Sequence, residues 1–115
     1  MKILALLILS AGLTIATPVP MSDVQANKIA DAIFKAEGGT NTHYPYGIVS
    51  VKTTNPRQVC LNTIKNNFIR FQTAGSKGDF IEFLGSKYCP VGAANDPHGL
   101  NKNWVKNVKK FLDIK

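Results

Sequence analysis

The chain has 115 residues, with 14 Lys or Arg against 7 Asp or Glu and a formal charge of +7. That length admits one small domain and excludes an assembly of several. The positive balance suits an anionic polymer or surface. Two cysteines without nearby histidines make a poor zinc cage, so no metal and no cofactor are expected.

Taken in chain order, Lys2 gives a positive start, and Ile3 to Ile15 form an apolar run broken only by small residues. Thr14 and Ala16 occupy the small-residue positions before a cleavage site. This is the layout of a secretory signal peptide over residues 1–16, cleaved between 16 and 20. The run is too short and wrongly flanked for a stable membrane span, although an uncleaved anchor is the competing reading. The expected location is therefore secreted or periplasmic, and export argues against nucleic acid as the partner of the positive charge. Thr17-Pro18-Val19-Pro20 reads as extended chain, because proline fixes φ and disfavours helix in the residue before it. Residues 17–21 are thus expected as a spacer and 22–115 as a single domain.

Ser22 followed by Gln25 forms a capping box, opening a helix that runs to Glu37 and stops at Gly38-Gly39. Its apolar stripe is Ala26, Ile29, Ala30, Ile33 and Ala36. Next, Tyr44-Pro45-Tyr46-Gly47-Ile48-Val49-Ser50-Val51 is rich in β-branched and aromatic residues, which predicts a short strand or hairpin with Pro45 at its edge. Asn55 caps a second helix with Pro56 at its first position, and Val59, Cys60, Ile64, Phe68 and Phe71 form its buried face. Asp79 with Glu82 opens a third, through Phe83, Leu84 and Tyr88 to Cys89-Pro90. Val91 to Gly99 is a loop. The last helix runs from Asn101 to Leu112, with Trp104, Val105, Val108, Phe111 and Leu112 on one face and Lys102, Lys106, Lys109 and Lys110 largely on the other. The fold class is mainly α, about four helices with a small β-hairpin after the first. Cys60 and Cys89 are expected to pair, as export favours. Closing a loop of roughly 30 residues would contribute about 3 to 4 kcal/mol.

Glu37 is the candidate for chemistry. It lies four residues after Ile33 and seven after Ala30, so it projects from the apolar face of its own helix. It also sits in the last turn, where the macrodipole disfavours negative charge. Desolvation and dipole both raise a carboxyl pKa, and a carboxylic acid that keeps its proton near neutral pH can act as a general acid. The competing reading is a surface glutamate at a frayed helix end, paired with Lys35 or Lys28.

Ala36-Glu37-Gly38-Gly39 followed by Tyr46-Gly47-Ile48-Val49-Ser50-Val51 resembles the signature of lytic transglycosylases and related lysozyme-like muramidases. Phe83-Leu84-Gly85-Ser86-Lys87-Tyr88-Cys89-Pro90, Asn95-Asp96-Pro97 and Leu100-Asn101-Lys102-Asn103-Trp104 resemble the aromatic-lined distal helices of peptidoglycan hydrolases. The resemblance covers most of the chain after Ser22. It implies a lysozyme-like α+β domain that cleaves the glycan strands of peptidoglycan as a monomer, with Glu37 as catalytic acid. It also implies substrate contacts from Tyr46, Gly47, Ser50 and Tyr88. The family's Ala-Tyr-Asn-Gly-type motif is not recognisable here, and Tyr88 is the positional candidate for its tyrosine.

A second carboxylate, which two-carboxylate glycosidases need, is hard to find. Beyond Glu37 the chain offers Asp79 and Glu82, explained as a capping box, and Asp96 and Asp113 in a turn and at the C-terminus. A single glutamate suits a lytic transglycosylase; hydrolysis by water remains the alternative. Trp104 reads as core, Tyr46 equally as core or as a sugar-stacking ring, and His43 and His98 as surface residues. Ser50 and Thr40 could hydrogen-bond Glu37 or an N-acetyl group. The rival functions are a non-enzymatic exported basic module that binds wall polymer or a protein, and an inhibitor or toxin-like domain on a stapled scaffold.

Overall fold

The computed structural model describes residues 17–47, 53–88 and 102–113. These form four helices, α1 (Asp23–Ala36), α2 (Pro56–Thr73), α3 (Phe80–Tyr88) and α4 (Lys102–Phe111), with a 3-10 turn at Gly39–Asn41 after α1. The signal segment 1–16 lies outside the described residues. Among those described, no helix is long and apolar enough to cross a membrane.

The helices begin where their caps dictate. Ser22 Oγ accepts from the Gln25 N–H at 3.1 Å. Asn55 Oδ1 accepts from Gln58 at 3.1 Å, with Pro56 opening α2. Asp79 Oδ1 accepts from Ile81 at 2.7 Å and Glu82 at 3.1 Å. Each satisfies backbone donors that would otherwise be orphaned and stabilises its helix by about 1 kcal/mol. At the other end of α2, Ser76 N–H bonds to Phe71 O and Gly75 N–H to Gln72 O, the Schellman closure.

Each helix packs against two others, α1 on α2 and α4, and α3 on α2 and α4, so the four close a ring. Its centre takes Ile29 and Ile33 from α1, Ile64 from α2, Leu84 from α3 and Val108 from α4, all essentially inaccessible to solvent. Burying each contributes about 1.5 to 3 kcal/mol. Phe68, Phe71, Phe80 and Phe83 add edge-on and tilted ring contacts between α2 and α3. Arg57 ties α2 to α1, with Nη2 at 2.7 Å from Asn27 Oδ1 and 2.9 Å from Asp31 Oδ1.

Three expectations fare differently. The stretch 17–21 lies against α2. Val19 exchanges two hydrogen bonds with the Gln72 side chain, at 3.0 and 2.8 Å, and Met21 is buried. The flanking prolines hold this stretch extended, which leaves the Val19 backbone groups open to an amide partner.

No strand occurs among the described residues. Tyr44–Gly47 forms a turn closed by Gly47 N–H to Tyr44 O at 2.8 Å. Pro45 in second place and glycine in fourth favour a turn over the pleat suggested by the aromatic content. Residues 48–52, the rest of the expected hairpin, lie outside the described ones. Cys60 has no disulfide partner among the described residues; it is fully buried on α2, where it packs as a small apolar side chain. Burial pushes its pKa up to about 11. Cys89 lies outside the described residues, and the expected bond between the two cysteines is not part of the described structure.

Candidate active site

Glu37 caps the C-terminus of α1, its N–H donating to Ile33 O at 2.9 Å. It extends the helix's buried stripe by one turn, which leaves its carboxyl partly buried. That burial raises its pKa above the ordinary carboxyl value. One hydrogen bond opposes the rise: Trp104 Nε1–H donates to Glu37 Oε2 at 3.1 Å. Among the described residues Glu37 makes no ion pair, with Lys28, Lys35 or any other cation. Asp23, Asp31, Asp79 and Glu82, by contrast, are all paired, to Lys65, Arg57 and Lys109. A carboxyl group with a neutral partner in a partly dry place keeps its proton to higher pH than a solvated one.

The walls around it come from three other parts of the chain. Trp104, on α4, is 6% exposed, and its ring stacks on Tyr88 of α3 at 5.2 Å and 26°. Gly85 makes that seat possible, because a Cβ there would lie 2.7 Å from Val105 Cγ2 and 3.2 Å from Trp104 Cε3. The Tyr88 hydroxyl donates to the backbone carbonyl of Tyr46, pinning the turn to α3. Gly47 follows with φ of +69°, exposed, its backbone lying against the Glu37 carboxyl. Only a glycine allows this approach, since a side chain at position 47 would collide with Oε2.

The structure thus brings together Glu37, Gly47, Tyr46 and Tyr88, all drawn from the sequence as site residues. Their parts differ from those expected. Tyr46 is 7% exposed, its ring packed on Phe34 at 5.4 Å and its hydroxyl accepting from Arg57 Nη1 at 2.9 Å. It supports the turn from inside the core and offers no open face to a sugar. The Tyr88 hydroxyl is likewise engaged. Ser50 and His98 lie outside the described residues; Thr40, His43 and Tyr44 are exposed beyond α1. Trp104 is core, as its helical spacing indicated, yet it also contacts the acid. A buried indole N–H needs an acceptor, and the packing of α4 on α1 supplies Glu37 Oε2.

A separate groove of about 750 Å³ lies at the other end of α1, lined by Pro20, Met21, Ile29, Phe68, Phe80 and Leu112 among others. It includes Gln25, about 18 Å along the helix axis from Glu37. Among the described residues no three His, Cys, Asp or Glu side chains are grouped to hold a metal ion. Comparison with protein-family models, curated proteins and solved structures found no match to this chain.

Proposed function

We propose that this chain is a secreted or periplasmic enzyme that cleaves the glycan strands of peptidoglycan, a lytic transglycosylase or lysozyme-like glycosidase with Glu37 as general acid and base. The supporting observation is the Glu37 carboxyl itself: partly buried, bonded to a neutral donor, raised in pKa by its burial and approached closely by the Gly47 turn. The reaction that suits a lone glutamate is intramolecular. Glu37 gives its proton to the glycosidic oxygen as the C1–O bond breaks. The resulting carboxylate takes a proton from the muramoyl 6-hydroxyl as that oxygen bonds to C1. The product is a 1,6-anhydro sugar, Glu37 is again protonated, and no water is consumed. Asp79 and Glu82 support this choice, since both are paired with Lys109.

Mass spectrometry of muropeptides released from purified peptidoglycan tests the reading. Anhydromuramoyl ends are expected. Reducing ends would move the assignment to a hydrolase with a further catalytic group, and no release from folded protein would sink the enzymatic reading. In that event the binding module gains, for which the exposed face of α4 is the supporting feature: Lys102, Lys106 and Lys110 stand one turn apart and form no ion pair among the described residues.

The same reading carries one finer structural proposal. Cys60 pairs with Cys89 after export, an arrangement supported by the reach of Tyr88, the residue before Cys89, to Cys60. The exported protein should then be lighter than its reduced form by the mass of two hydrogen atoms. Its thermal stability should fall in reductant, by about 3 to 4 kcal/mol in the chain-entropy account. Two alkylatable thiols in unreduced, denatured protein would show the bond absent.

A further inference from the structure

We propose that Trp104 is a positioning residue for Glu37, holding Oε2 against α4 so that Oε1 is the oxygen that exchanges the proton with substrate. This rests on Glu37 being the general acid. The two oxygens of the carboxyl group have different surroundings. Oε2 accepts the indole N–H at 3.1 Å and is the oxygen on which a Gly47 side chain would fall. Oε1 accepts no hydrogen bond among the described residues, and a Cβ placed on Gly47 would lie 3.5 Å from it. One oxygen is thus tethered and the other left to react.

The tether is itself fixed on both faces. Tyr88 stacks on one side of the indole, and Gly85 admits the ring edge so closely that no side chain fits between. Tyr88 in turn bonds the Tyr46 carbonyl, so the residue that seats Trp104 also seats the turn bearing Gly47. Rotation of the carboxyl would break the indole bond on one side and meet the Gly47 backbone on the other. Positioning of this kind lowers the barrier by removing unproductive orientations before the reaction begins.

The indole bond also bears on titration. It stabilises the carboxylate and so opposes the upward push of burial. The other titratable groups packed around the site are Cys60 and Arg57 from α2, Tyr88 from α3, Tyr46 from the turn and Lys35 on α1 itself. Arg57 is held by Asp31 and Asn27, and Cys60 is fully buried and carries no charge, as a thiol or in a disulfide. From α4 the group that meets Glu37 is the neutral indole. Deleting the N–H should raise the Glu37 midpoint, moving the alkaline limb of the pH–activity profile upward.

Two variants separate donor from packing. Trp104→Phe removes the N–H and part of the ring; replacement of Trp104 by benzothienylalanine removes the N–H alone and keeps the bicyclic shape. The Glu37 carboxyl is followed by ¹³C NMR, assigned by its disappearance in Glu37→Gln. For both variants the midpoint should rise, and kcat should fall by about 10- to 100-fold with KM little changed. A benzothienylalanine protein with wild-type midpoint and kcat would overturn the proposal and leave Trp104 as packing alone. The NMR readout needs no turnover. A shifted midpoint in a protein that releases no muropeptides would retain the tether and defeat the enzymatic reading, whereas active protein with an unmoved midpoint would do the reverse.

Discussion

Glu37→Gln should reduce muropeptide release by at least about 100-fold, the contribution of a positioned proton donor, without loss of the fold. The amide keeps the size of the side chain and an oxygen to accept the Trp104 N–H, so the surroundings need not move. What it lacks is a proton to give and a base to receive one. Its stability should depend on pH in a particular sense. Burial raises the folded pKa of Glu37 above its ordinary 4.5, so the folded chain binds this proton more tightly than the unfolded one. The stability from that preference is fully present below the unfolded value and is lost as pH rises through the folded value. Glutamine never ionises. The variant should therefore melt with the wild type in acid and at an equal or higher temperature at neutral pH and above. Melting curves across that range, beside muropeptide assays, check both halves. A variant that melts lower as pH rises would contradict the burial argument, and full activity would end the assignment of Glu37.

The helices were legible because their signals are local. Ser22, Asn55-Pro56 and Asp79 each cap a helix within a few residues, and Gly75 closes α2 by a motif of the same span. The segment around Tyr44–Gly47 misled because its composition favours strands while its order favours a turn. Pro45 and Gly47 decide the backbone, and the aromatic rings then find the core. Composition could not show that Tyr46 would point inward, since that depends on Phe34 and Arg57 arriving from two other elements.

Glu37 was legible for a similar reason: the helical period and the adjoining glycines place it at a helix end on the apolar side. Its partner was not. Trp104 is 67 residues away, and only the packing of α4 on α1 carries the indole to the carboxyl. The spacing on α4 correctly marked the ring as buried, but periodicity is silent about where a single N–H points. The same limit applies to Tyr88, whose hydroxyl reaches a backbone carbonyl 42 residues earlier. A backbone acceptor leaves no trace in side-chain identity.

Gly47→Ala should lose both stability and activity, and the two losses have separable causes. Gly47 has φ of +69°, a left-handed conformation that costs an alanine roughly 1 to 2 kcal/mol. The added Cβ would also intrude on Glu37, falling inside contact distance of Oε2 and 3.0 Å from Cδ. The carboxyl is the mobile partner in that clash, so it should swing away, giving up the Trp104 N–H and its place beside the turn. Gly78→Ala supplies the comparison. Gly78 has φ of +83° and nothing within 4 Å of an added Cβ, and it sits between α2 and α3, remote from Glu37. It should show the backbone cost alone. The two variants should therefore melt at similarly lowered temperatures, while only Gly47→Ala loses most of its muropeptide release, by about 10- to 100-fold for a displaced reacting group. Equal activity in the two would mean that Glu37 does not work from the position in which the Gly47 turn and Trp104 hold it. Equal inactivity would trace the loss to strain in the fold and remove the turn from the site.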